Sequence, residues 1–218
     1  MALDVVTVAS ALSSMTGGIE FATVPPPSWE PSLAVPQGWE DELDQETSAA
    51  WEGVTRGLPR IDFPTWKEIE DVFQPILFAE ATSNHLEWLR DRPEDYSDGV
   101  RNTLELGRKV SGAGYLWAIR QRRRMREEVE RALGPYDAVL VPNTLIVAPM
   151  IGEQHIREKL LRYTRPFSVS GHPVVTLPAP SNGLPVGIQV VGRHGEDAAV
   201  IRVAAALEAR WGRRGPAH

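Results

Sequence analysis

The chain has 218 residues, 42% hydrophobic and 24% charged, enough to bury a core in one domain or in most of one. A net charge of -6 argues against a dedicated nucleic-acid binder, which needs a basic face, and zero Cys excludes disulfides and thiolate metal sites and agrees with a reducing compartment. The first 17 residues lack a basic leader, carry Asp4 and are too short to span a bilayer, so the chain reads as cytoplasmic with no membrane partner.

Val5, Val8, Leu12 and Met15 recur at three- and four-residue spacing, which predicts a helix over 1–17, capped by Asp4 and ended by Gly17. Such a helix needs a partner surface. Through 18–60 the periodicity disappears, and Pro25-Pro26-Pro27, Pro31 and Pro36 disfavour helix and central strand, so this stretch is expected to be irregular, with no convincing strand. Thr65-Trp66-Lys67-Glu68 fits a capping box opening a helix with Trp66, Ile69, Phe73, Ile76 and Leu77 on one side, which Pro75 kinks or interrupts. Helical patterns return over Val100–Leu106 and Tyr115–Leu133, ending at Gly134-Pro135. Within the second, Arg120, Arg122, Arg123, Arg124 and Arg126 are followed at once by Glu127, Glu128 and Glu130, and the mixed signs mark a solvated face; Arg122 alone falls in the apolar stripe and is expected to find a carboxylate or a missing neighbouring segment.

Ala138–Val141, Val174–Leu177 and Val186–Val191 read as strands, the last two forming a hairpin around Ser181-Asn182-Gly183. Alternation puts Gly187, Gln189 and Val191 on one face of the last strand and Val186, Ile188 and Val190 on the other. Asp197 opens a final helix bearing Val200, Val203, Leu207 and Trp211. Helices around a small mixed sheet make an α/β layered fold.

Several segments resemble, in the same order, markers of the amidase signature family. Glu80-Ala-Thr-Ser-Asn84, Leu104-Glu-Leu-Gly107 and Tyr115 come first, then Tyr136-Asp-Ala-Val-Leu-Val-Pro142, Ala148–Glu153 and Tyr163-Thr164. Pro166–Pro178, with Gly171 and Pro173, and Gly183–Gly192 complete the set. The resemblance covers about residues 80–208, with weaker support at 4–16. It implies the carboxy-terminal part of an α/β/α amidohydrolase acting on carbon–nitrogen amide bonds without a cofactor or metal, and hence a single partial domain over 1–218 whose family region is 61–218. The implied partners are a small amide substrate in the full-length enzyme and an upstream catalytic segment, with a homo-oligomer as a further possibility.

The candidate substrate-binding residues are Arg101, Asn143, Thr144, Tyr163, Thr164, Ser168 and Gln189. Asn143 and Thr144 follow a strand end, where open α/β sheets place ligand loops, although both residue types also cap turns. Gln189 offers a donor and an acceptor suited to an amide or acid, or else braces a loop. Arg101 suits a bidentate carboxylate contact, or else is a solvated helix charge. Glu80 and Asn84 share a helix face, as a polar pair turned inward or as a helix brace. Tyr163 and Thr164 resemble the family's pocket-lining pair. Ser168 stands where that family usually has Asn, and Leu161 where glutamine-handling members carry an acid. A carboxylate at 161 would pair with a substrate ammonium, and Leu cannot, so an amide without an ammonium is expected.

The catalytic Ser, Ser and Lys of the resemblance have no plausible counterpart here. Lys67, Lys109 and Lys159 are the only lysines, each in a charged context. Ser13-Ser14-Met15-Thr16-Gly17-Gly18 closes a helix rather than forming a nucleophile loop, and Ser168-Val-Ser170-Gly171 lacks the leading Gly of a nucleophile elbow, with His172 too local to count as a triad member. The chain alone is therefore expected to be inactive, as part of an amidohydrolase or, alternatively, as a catalytically silent scaffold derived from one.

Overall fold

The computed structural model describes residues 4–19, 21, 29–153, 155–181 and 183–212, with the side chains of Trp66 and Lys67 outside that description. Five strands form one sheet: β1 (Leu33–Pro36), β2 (Arg60–Ile61), β3 (Ala138–Pro142), β4 (Val174–Pro178) and β5 (Gly187–Val191), in the order β2-β1-β3-β5-β4. β1 runs parallel to β2 and β3, whereas β3–β5 and β5–β4 are antiparallel, with Val174 opposite Val191. The expected pairing of the last two strands is present; Asn182, in the turn between them, lies outside the described residues.

Both faces of the sheet are covered, because the alternating residues of its inner strands are apolar on either side. Leu33, Val35, Leu140, Ile188 and Val190 face a core closed by α1 (Val5–Met15), α2 (Gln45–Thr55) and α8 (Asp197–Trp211). Ala34, Val139, Val141 and Val191 face a second core, shared with α3 (Trp66–Asp91), α5 (Gly112–Leu133) and the short helix α7 (Arg165–Ser170). The result is an α/β/α sandwich. α1 finds its partner in α8, where the Val5 amide donates to Glu208 Oε1 at 3.1 Å.

The structure differs from the expectation of an irregular segment over 18–60: β1, α2 and the start of β2 lie in it. β1 is only four residues long and buried throughout, so it shows a short apolar run rather than alternation, and Pro36 ends it instead of interrupting it. α2 buries Thr47, Ala50, Trp51 and Thr55, a stripe half made of threonine. Asp44 caps it, accepting from the Thr47 amide at 2.8 Å and the Val147 amide at 3.1 Å. Pro25, Pro26 and Pro27 lie outside the described residues.

α3 opens on the expected capping box, with the Thr65 amide donating to Glu68 Oε2 at 3.0 Å, and runs 26 residues through Pro75. It packs closely on α4 (Asp98–Gly107). A Cβ on Gly107 would lie 2.0 Å from Thr82 Oγ1 and 2.1 Å from the Phe78 carbonyl oxygen, so only glycine permits this approach. The Glu-Leu-Gly marker is thus explained by helix packing.

Candidate functional site

A cleft of about 440 Å³ opens where α3 meets α7 and the five-residue helix α6 (Arg157–Leu161). Its apolar wall is Phe73, Leu77, Phe78 and Leu161; its polar wall is Glu70, Gln74, Thr103, Arg157, Thr164, Arg165 and Ser168. The positions of Thr164 and Ser168 depend on α7, which starts at Arg165-Pro166 and stops at Gly171 in the left-handed region, φ 79°. Its last carbonyls are capped from α5: Arg122 Nε donates to Val169 O at 2.8 Å and Arg126 Nε to Ser170 O at 2.8 Å. Among the described residues Arg122 therefore satisfies a helix end and not a carboxylate, and Arg126 departs from the solvated face expected of the arginine run.

Within the cleft, Arg165 Nη1 lies 2.5 Å from Glu70 Oε2, and its guanidinium stacks 5.3 Å from the Phe73 ring centroid. Arg165 Nε is buried without a hydrogen-bond acceptor among the described residues. Gln74 Nε2 also donates to Glu70, at 2.9 Å. The Thr164 hydroxyl donates to Leu161 O at 3.0 Å, the Ser168 hydroxyl to Thr164 O at 3.2 Å and the Thr103 hydroxyl to Gly99 O at 2.9 Å.

Of the seven candidate residues, Thr164 and Ser168 line this cleft. Tyr163 lies beneath it, fully buried, stacked on Trp39 with 4.9 Å between centroids and donating its hydroxyl to the Trp39 carbonyl. Burial pushes the phenol up to about 12, so it stays a neutral donor. Gln189 is buried too, and its Nε2 donates to Pro142 O at 3.1 Å and Tyr163 O at 2.8 Å, tying the end of β3 to the start of the cleft wall. Gly187 makes room there, since a Cβ on it would lie 3.0 Å from the Asn143 Cβ. Thr144 donates its hydroxyl to Ile146 O at 2.8 Å, a local turn contact. Arg101 lies outside the cleft lining, bonded to Asp98 and to the Pro93 carbonyl. Glu80 and Asn84 are exposed, Glu80 accepting from the Tyr115 hydroxyl at 2.9 Å.

Sequence reasoning missed Glu70, Arg157 and Arg165. Arg165 follows Tyr163-Thr164 directly and carried a signal by position; Glu70 is 95 residues from its partner, and no local pattern marks such a pair.

A second polar cluster joins Ser170, His172 and Glu130. His172 Nδ1 is 2.8 Å from Ser170 Oγ, and its Nε2 is 3.2 Å from Glu130 Oε1 without the alignment of a hydrogen bond. The contacts resemble a hydrolytic relay, but Ser170 has no exposed surface and cannot meet a substrate. Burial pushes His172 down to about 4 despite the opposing charge of Glu130, so the imidazole is neutral near pH 7. Lys109 and Lys159 are exposed, so neither is a desolvated amine base.

Comparison with known proteins adds a family. The family model described as Amidase matches residues 10–201. A component of the glutamyl-tRNA(Gln) amidotransferase of Methanococcoides burtonii is 28% identical over 193 residues, covering 75% of this chain and 39% of its own length. The AtzE component of the 1-carboxybiuret hydrolase of a Pseudomonas species is 31% identical over 150 residues, covering 61% of this chain and 32% of its own length. A crystal structure of an amidase superposes with a TM-score of 0.85 at 28% identity, covering 96% of this chain and 51% of the other. The chain thus spans about half the length of these relatives, or less.

Proposed function

Because the chain belongs to the amidase signature family, we propose that it forms the carboxy-terminal part of an amidohydrolase, supplying one wall of the substrate cleft while the nucleophile and base come from elsewhere. The observation that carries this reading is the cleft between α3, α6 and α7, which presents Thr164, Leu161 and Ser168 together and contains no activated nucleophile among the described residues. Amide hydrolysis needs a serine whose proton a nearby neutral base removes. The described serines of the cleft region hand their protons to backbone carbonyls or lie buried, as Ser168 and Ser170 do. What this wall does is position: Phe73 and Leu77 exclude water from one side of a bound amide, and the hydroxyls of Thr164 and Ser168 accept from its N–H. Leu161 offers nothing to a substrate ammonium, which favours amides without one.

The test is complementation. The purified chain alone releases no ammonia from simple amides above background, and Ser14→Ala, Ser168→Ala and Ser170→Ala leave that background unchanged. Co-expression with the amino-terminal half of a related amidase restores turnover. Turnover by the chain alone that is lost on one of those substitutions would place the nucleophile here and overturn the reading. Failure of every complementing half to restore activity favours the catalytically silent scaffold instead.

A further inference from the structure

The charges that line the cleft do not cancel. Glu70 is neutralised by Arg165, whereas Arg157, exposed at the cleft wall, has no ion pair or hydrogen bond among the described residues. One net positive charge therefore remains, carried by Arg157, because the Arg165 guanidinium is spent on Glu70 and its Nε–H is buried out of a ligand's reach. The hydroxyls point the chemistry further. Thr164 and Ser168 each spend their proton on a main-chain carbonyl, so toward a ligand they offer lone pairs only. A ligand matched to this wall carries a negative group for Arg157 and an N–H for the hydroxyls. Arg101, the arginine that sequence position favours for a carboxylate, is engaged by Asp98 and the Pro93 carbonyl outside the cleft.

We infer that the cleft selects small amides bearing a carboxylate and no ammonium, of the N-acyl amino acid class, with Arg157 as the specificity-determining cation. This rests on the reading of the cleft as a substrate wall. Arg157 presents a planar fork to the carboxylate, a pairing stronger than a neutral hydrogen bond and sensitive to salt where exposed. Arg165, held flat on Phe73 by Glu70, balances that acid and leaves the carboxylate to Arg157. The absence of an acid at Leu161 removes the group that would have welcomed a zwitterion.

The test uses the intact chain and two probes of equal size, N-acetylglycinate and its neutral amide, with binding followed through the backbone amide resonances of Thr103, Thr164 and Ser168. N-acetylglycinate is expected to bind about tenfold more tightly than the neutral probe at low ionic strength, and the gap narrows at high salt. Arg157→Gln, at an exposed site that does not hold the fold, abolishes the preference, and Arg157→Lys keeps part of it because a point charge remains without the fork. Equal affinities in the unaltered chain, a preference that survives Arg157→Gln, or no perturbation of those resonances by either probe would each overturn the inference. Turnover by the complemented enzyme without anion preference would sink this inference alone; anion preference without turnover would sink the catalytic reading alone.

Discussion

Replacing Gln189 by Met tests whether this side chain braces the cleft or waits for substrate. The substitution keeps volume and removes the amide, leaving the carbonyls of Pro142 and Tyr163 without the donors now at 3.1 and 2.8 Å. Gln189 is 3% exposed, so water does not replace those bonds. Each lost bond to a buried acceptor costs about 1–2 kcal/mol, and the two together about 2–4 kcal/mol. In urea unfolding, with a slope of about 2 kcal/mol per molar, the midpoint falls by about 1–2 M with the slope unchanged. Gln189→Glu sharpens the test. A carboxylate facing two carbonyls is driven to its protonated form, so its folded pKa is raised; the variant's relative stability is greatest at low pH and is lost as pH rises through that value. A midpoint shift of Gln189→Met below about 0.3 M, at the same slope, would show that the amide bears no structural burden and would refute the bracing argument.

Gly107→Ala pushes a methyl into Thr82 Oγ1 and the Phe78 carbonyl, at 2.0 and 2.1 Å, and the overpacking exceeds the gain in helix propensity, so thermal unfolding shows a net loss of about 1–3 kcal/mol. His172, pushed down to about 4 by burial, with Glu130 opposing and His194 and Arg126 reinforcing, refuses a proton that the unfolded chain takes near 6.5. Its contribution is complete above that pH and declines as pH falls toward 4, by about 3 kcal/mol at most, and His172→Gln flattens this slope in denaturation curves measured across the window. Exposed Met15, Trp88, Trp117 and Met150 give the chain an apolar surface that promotes self-association, seen as concentration-dependent light scattering and dye binding; a monodisperse monomer without dye binding would contradict this.

Periodicity and caps are local, so the amino-acid order was enough to read the α/β class, the helices begun by Asp4 and Thr65, the β4–β5 hairpin, the faces of Gly187 and Gln189, and membership of a family through markers in a set order. Packing in three dimensions settled the remainder. β1 was invisible because four residues buried between two parallel neighbours need no alternation, and α2 because its buried stripe contains Thr47 and Thr55. Packing also chose which polar residues face a ligand. Gln189 and Tyr163 turned to main-chain carbonyls, and Arg122 and Arg126 to the end of α7, because buried donors must find acceptors wherever the fold supplies them. The cleft's charge emerged only when α3 brought Glu70 to Arg165 across 95 positions and left Arg157 unmatched among the described residues, since the cancelling of charges depends on distance in space and not along the chain.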